Sequence, residues 1–122
     1  MSEQNLPVKR PDIAQLLRDR RQERLLGIED ISLYAYYDDD SSYLYIIGEV
    51  FAQKIRSAFY LTCTLYDADH DIIASEENYT YGSGIVTNVI RPEAFFNGFP
   101  FKICISMPET PIARIELIPQ GC

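Results

Sequence analysis

At 122 residues and 47% hydrophobic content, the chain is long enough to build one core and too short for two ordinary domains. Its formal charge of −7 is uneven: residues 1–26 hold six Lys/Arg against four Asp/Glu, and the remainder holds five against fourteen. An acidic body repels nucleic acid and anionic membrane alike, so neither is expected as a main partner, and no apolar run approaches the ~20 residues of a membrane-spanning helix.

Residues 1–10 are polar and charged and read as a disordered lead-in without the apolar segment of a secretory signal. Residues 11–26 predict a helix. Pro11 suits the first helical position, Asp12 suits the positive end of the helix dipole, and Gly27 can close the C-terminus, giving an N-terminal unit over 11–27. Its apolar stripe is short: Ile13, Leu16 and Leu17 share a face that continues into Arg20 and Arg24, while Leu25 and Leu26 fall off it. A helix this weakly amphipathic must be held by packing.

From residue 28 the hydrophobic period changes from helical to alternating, which predicts a β-domain over 28–122. Seven strands are expected, at about 29–37, 43–52, 57–67, 72–80, 85–90, 99–107 and 112–118, with Pro119 ending the last. Turn chemistry separates them: Asp-Asp-Asp-Ser-Ser at 38–42, the acidic stretch 67–71, Tyr-Gly-Ser-Gly at 81–84, Asn97-Gly98, and the pair Pro108/Pro111. Short strands at this spacing point to an antiparallel β-sandwich or a barrel.

Several residues carry a family likeness. Gly48-Glu49-Val50, a long strand from Phe59 to Asp67 ending in Leu65-Tyr66-Asp67, then Ile72-Ile73, then Ile90-Arg91-Pro92-Glu93 before Phe101-Lys102-Ile103, follow the order found in bacterial FxLYD domains. The chain resembles that family over about residues 44–107. Cys63 stands where the motif has Phe, the Asn after Gly-x-Val is missing, Glu93-Ala94 replaces Gly-Glu, and His70 or Asp71 replaces the usual turn Gly. The resemblance implies an immunoglobulin-like sandwich of about seven strands, preceded here by the helix, with no known catalysis.

The chemistry-bearing residues do not assemble into a catalytic motif. Asp67-x-Asp69-x-Asp71 spaces three carboxylates like the opening of a calcium loop, and Asp38–Asp40 could add oxygens. The EF-hand pattern, however, needs Gly and Glu where the chain has Ile72 and Asn78. These aspartates are therefore read first as turn residues and only weakly as metal ligands. His70, the single histidine, lies in the same turn with no G-x-S-x-G nucleophile elsewhere. Strand parity turns Cys63 inward and Cys104 outward, so no disulfide between them is expected, and free thiols agree with a reducing compartment. Gly82-Ser83-Gly84 lacks the helix and Lys of a phosphate loop, and Asn78-Tyr79-Thr80 is read as a chance sequon. No cofactor is expected.

Nine tyrosines and no tryptophan form the informative feature. With Leu33/Ala35, Leu44/Ile46/Val50 and Phe59/Leu61/Cys63/Leu65 in the core, the opposite parity presents Tyr34/Tyr36, Tyr43/Tyr45/Ile47 and Tyr60/Thr62/Thr64/Tyr66. If the three strands share a sheet, its outer face is an aromatic stripe of a size that monomers seldom leave bare. Three coverings are expected to compete: the helix 11–26, a second copy of the chain, or a partner protein. The run Arg18-Asp19-Arg20-Arg21-Gln22-Glu23-Arg24 offers Arg18, Arg20, Arg21 and Arg24 as a second docking element. The sequence thus points to a non-catalytic, cytoplasmic protein–protein interaction domain. The alternative is a small acidic inhibitor or immunity-type protein that blocks a basic site, steered by acidic loops at 38–40, 67–71 and 76–77. A third class, an enzyme or sugar-binding module, rests on exposed tyrosines and carboxylates alone.

Overall fold

The computed structural model describes residues 16–38, 40–78, 80–82 and 85–121. Strand β1 (Leu16–Arg18) leads into helix α1 (Arg20–Leu25), followed by β2 (Asp30–Asp38), β3 (Tyr43–Phe51), β4 (Phe59–Tyr66), β5 (Ile72–Glu77), β6 (Thr80–Gly82), β7 (Ile85–Thr87), β8 (Phe99–Ser106) and β9 (Arg114–Gly121). One sheet runs β1-β9-β4-β5, a second runs β2-β3-β8, and β6-β7 form a separate two-stranded ribbon.

The expected alternation is realised most clearly in β4. Phe59, Leu61, Cys63 and Leu65 are fully buried, and the residues between them are only half-covered. Leu44, Ile46 and Val50 of β3, Phe101, Ile103 and Ile105 of β8, and Ile115 and Leu117 of β9 complete the same cluster, so one core is sealed between the two sheets. Burying each such side chain contributes about 1.5–3 kcal/mol. All strand pairs are antiparallel except β1 on β9.

The N-terminal helix is the main correction. Leu16, Leu17 and Arg18, expected in mid-helix, form a strand paired in parallel with Ile115, Glu116 and Leu117. The exposed edge of β9 supplies backbone partners that a weak amphipathic stripe cannot match, and Leu16 gains packing against the core. Asp19 then starts a shorter helix by accepting a hydrogen bond from the Gln22 N–H at 3.0 Å. Gly27 does close it, in the left-handed conformation at φ +90°. The expected lead-in at 1–10 and the first turn of the expected helix lie outside the described residues.

Other boundaries also move. The strand expected at 72–80 divides into β5 and β6 around Asn78, and the strand at 85–90 reduces to β7 and an isolated bridge between Ile90 and Phe59. Pro119 does not end β9; it is buried opposite Leu61, and the strand runs on to Gly121. Beyond Leu117 the outer edge of β9 has no strand partner among the described residues, which accommodates a residue with no N–H to donate. Asn78 of the sequon is wholly buried: its Oδ1 accepts from the Leu61 N–H at 2.7 Å, and its own N–H donates to the Leu61 carbonyl at 3.0 Å. No helix among the described residues is long and apolar enough to cross a membrane.

Candidate functional site: a tyrosine face on the three-stranded sheet

The β2–β3 hairpin sets Tyr36 directly opposite Tyr45, Tyr34 opposite Ile47, and Asp38 opposite Tyr43. Because Ile31 and Ala35 on one strand and Leu44, Ile46 and Val50 on the other fill the core, these tyrosines occupy the solvent side. Their rings touch in a chain. Tyr34 and Tyr36 lie 5.6 Å apart between centroids, Tyr36 and Tyr45 stack at 5.2 Å, and Tyr43 tilts against Tyr45 at 6.2 Å. Tyr34 is 43% and Tyr43 39% exposed, so the two ends of the cluster face water while Tyr36 and Tyr45 are half-buried between them.

Strand β8 extends the face. Lys102 pairs in register with Ile47 and holds its ammonium 5.1 Å from the Tyr45 ring centroid, a cation–π contact, and Cys104 lies opposite Tyr45. Neither was singled out with the tyrosines, although the parity that turns Cys104 outward would have found both once β3 and β8 were known to be neighbours. At the Tyr34 end a shallow groove of about 460 Å³ is lined by Ser32, Tyr34, Ile47, Glu49 and Pro100 among others.

The expected stripe is otherwise divided. β4 belongs to the other sheet, so Tyr60 and Tyr66 share no face with Tyr34, Tyr36, Tyr43 and Tyr45. Tyr66 instead supports the Arg114 guanidinium, 4.1 Å from its centroid. Arg114 in turn approaches Glu116 at 3.4 Å and His70 Nδ1 at 3.5 Å. Desolvation and the Glu116 carboxylate raise the Tyr66 hydroxyl above its ordinary pKa. The helix expected to cover the tyrosines sits elsewhere too: α1 packs on β9.

The arginine run is dispersed in the same way. Arg18 is engaged by buried Glu23 and by Asp30, Arg20 and Arg24 line a separate cleft, and Arg21 is exposed. In the acidic turn, Asp67 Oδ1 accepts from the backbone N–H groups of Asp69 and Asp71 at 2.9 and 3.0 Å, and His70 takes a left-handed φ of 68°. The Asp67 carboxylate is thus committed to shaping its own loop, and no group of Asp67, Asp69 and Asp71 is arranged to hold a metal among the described residues. Cys63 is fully buried, and desolvation pushes its thiol up to about 12, which removes the nucleophilic thiolate at neutral pH.

No family model, curated protein or solved structure matches the chain.

Proposed function

We propose that the chain is a non-catalytic, immunoglobulin-like interaction domain of the cytoplasm, whose protein partner docks on the face formed by Tyr34, Tyr36, Tyr43 and Tyr45. The observation that carries this reading is the continuous ring cluster on the solvent side of the three-stranded sheet, stacked at its centre and half-open at both ends. Tyrosine supplies large, rigid, amphipathic contact area with little conformational entropy to lose, which is why it is enriched at interfaces.

The strand connections support the immunoglobulin-like part. β3 and β4 lie in different sheets, as do β8 and β9, while β8 returns beside β3 and β9 beside β4. That exchange between sheets is a Greek-key arrangement. Two positions of the FxLYD resemblance have physical support. Cys63, at the Phe position, is fully buried, and Gly48 of the Gly-x-Val segment sits where a Cβ would collide with the Ser32 carbonyl oxygen. Two free thiols, Cys63 and Cys104, support a reducing compartment.

The test is capture of host proteins by the full chain and by a Tyr34→Ser/Tyr45→Ser variant whose folding is checked by circular dichroism. The double variant is expected to lose a partner that wild type retains, while Arg21→Gln keeps it. Equal capture by the tyrosine variant would refute this docking face.

A further inference from the structure

We propose that the cleft between α1 and the β3–β4 connection binds a ligand carrying two or more phosphate groups. The cleft has a volume of about 550 Å³ and is lined by Arg20, Arg24, Glu29, Lys54 and Arg56, with Gly27 and Ile28 beside them. It therefore concentrates four cations against one carboxylate on a chain whose net charge is −7.

The fold brings these cations together from two distant segments. In α1 the buried side is taken by Glu23, with Leu26 buried just beyond the last turn, which leaves Arg20 and Arg24, one turn apart, on the outer face. In the β3–β4 connection Ile55 is 2% exposed, so its neighbours Lys54 and Arg56 are turned outward. The Arg56 N–H donates to the Leu26 carbonyl at 2.8 Å and ties the two segments. Gly27 allows them to approach: a Cβ there would come within 2.9 Å of the Lys54 carbonyl oxygen and 3.2 Å of the Arg56 Cγ. The backbone thus fixes the points at which the four cationic side chains are attached around the cleft.

Their charge is compensated only in part, at Arg20, which lies near Glu23 and Asp30. Arg24, Lys54 and Arg56 make no ion pair among the described residues, and Arg20 has only a 3.4 Å approach to Glu23, whose carboxylate already accepts two hydrogen bonds from Arg18. Glu29 Oε2 accepts from the Gln53 N–H at 3.4 Å and is turned toward that loop. Like charges at i and i+4 on a helix destabilise it, so the cluster works against the fold until an anion enters. Guanidinium forks match phosphate oxygens in pairs, and the three lining cations that make no ion pair among the described residues carry more charge than one phosphate dianion neutralises. The volume falls in the range of small-ligand sites, and the ring of charge excludes an apolar occupant.

The experiment titrates the full ¹⁵N-labelled chain with inorganic phosphate, pyrophosphate and a doubly phosphorylated peptide of otherwise neutral sequence, at constant ionic strength. Pyrophosphate is expected to give saturable amide shifts at Gly27, Glu29, Lys54 and Arg56, at least tenfold weaker in Arg24→Gln and Lys54→Gln and unchanged in Arg91→Gln. All these side chains are on the surface, and retained dispersion of the spectrum certifies folding of each variant. Saturation by pyrophosphate alone assigns a free diphosphate compound, whereas tighter binding of the peptide assigns a phosphorylated protein. The proposal is overturned if chloride reproduces the shifts, if inorganic phosphate binds as tightly as pyrophosphate, or if Arg91→Gln weakens binding as much as Arg24→Gln.

Discussion

Arg18 and Glu23 form a two-pronged ion pair that pins β1 to α1: Arg18 Nε donates to Glu23 Oε2 at 2.9 Å, and Arg18 Nη2 donates to Oε1 at 2.6 Å. Glu23 is 1% exposed, so its carboxylate has no water to fall back on, and Arg18 also reaches Asp30 at 3.2 Å. One short motif thereby joins the N-terminal strand, the helix and the start of β2.

Removing one member of this pair should harm more than removing both. Arg18→Ala leaves the buried Glu23 carboxylate with only the 3.4 Å approach of Arg20 and is expected to destabilise by about 3 kcal/mol. A double Arg18→Leu/Glu23→Leu variant keeps apolar volume without charge and should recover most of that loss. Urea unfolding midpoints of the single and double variants check this. A double variant that loses the sum of both single effects would show that the charges act independently.

Asn78 stands in for a strand residue beyond the end of β5. Its Oδ1 is the acceptor for the Leu61 N–H, deep in the sandwich. Asn78→Ala leaves that N–H unpaired, and the expected loss is about 1–3 kcal/mol. Amide hydrogen exchange gives the specific readout: Leu61 should lose protection ahead of Cys63, while a uniform loss across β4 would count against a local role.

Gly48 is required by a close approach rather than by backbone conformation. A Cβ there would collide with the Ser32 carbonyl oxygen and come within 3.0 Å of the Leu33 Cα and of the Phe101 ring. Gly48→Ala must push β2 away from β3, and overpacking of this kind costs about 1–3 kcal/mol. Gly121→Ala meets only the Leu26 Cδ2 at 3.7 Å and should be tolerated. Thermal midpoints of the two variants make the comparison, and similar midpoints would refute it.

The Cys63 thiol gives the fold an alkaline limit. Burial raises its pKa from an ordinary 9.0 to about 12, so the folded chain keeps the proton that the unfolded chain releases. The stabilisation is fully present below pH 9.0 and is lost as pH rises toward 12, with a slope of about 1.4 kcal/mol per unit. Cys63→Val removes this dependence. Denaturant titrations at pH 8, 9 and 10 of both proteins test it, and parallel curves would contradict the assignment.

Alternation made much of the sandwich legible. Phe59, Leu61, Cys63 and Leu65 could be turned inward, and Tyr34, Tyr36, Tyr43 and Tyr45 outward, because a strand exposes its two faces to different environments at every second residue. Gly27 was legible as a helix terminus for a similarly local reason. β1 was not: Leu16–Arg18 takes its conformation from the edge of β9, about a hundred residues away, and nothing in Leu-Leu-Arg signals that partner. The burial of Glu23 was equally hidden, since a charged residue becomes an interior one only when Arg18 is placed beside it.

By itself, then, the sequence determined that the chain is predominantly β, which side chains on β2, β3 and β4 face inward, and that Tyr34, Tyr36, Tyr43, Tyr45, Tyr60 and Tyr66 lie on the opposite faces of those strands. These are properties of a residue and its immediate neighbours. Which outer surface each tyrosine joins was decided only by the tertiary structure, because alternation specifies a face of a strand and not the sheet that receives it. Pairing of β3 with β8 and of β4 with β9 sent Tyr36 and Tyr45 to one side of the molecule and Tyr66 to the other, beside Arg114. The Arg56 N–H bond to the Leu26 carbonyl likewise brought Arg24 and Arg56 to one cleft, since distant cations can be gathered only by the backbone that carries them.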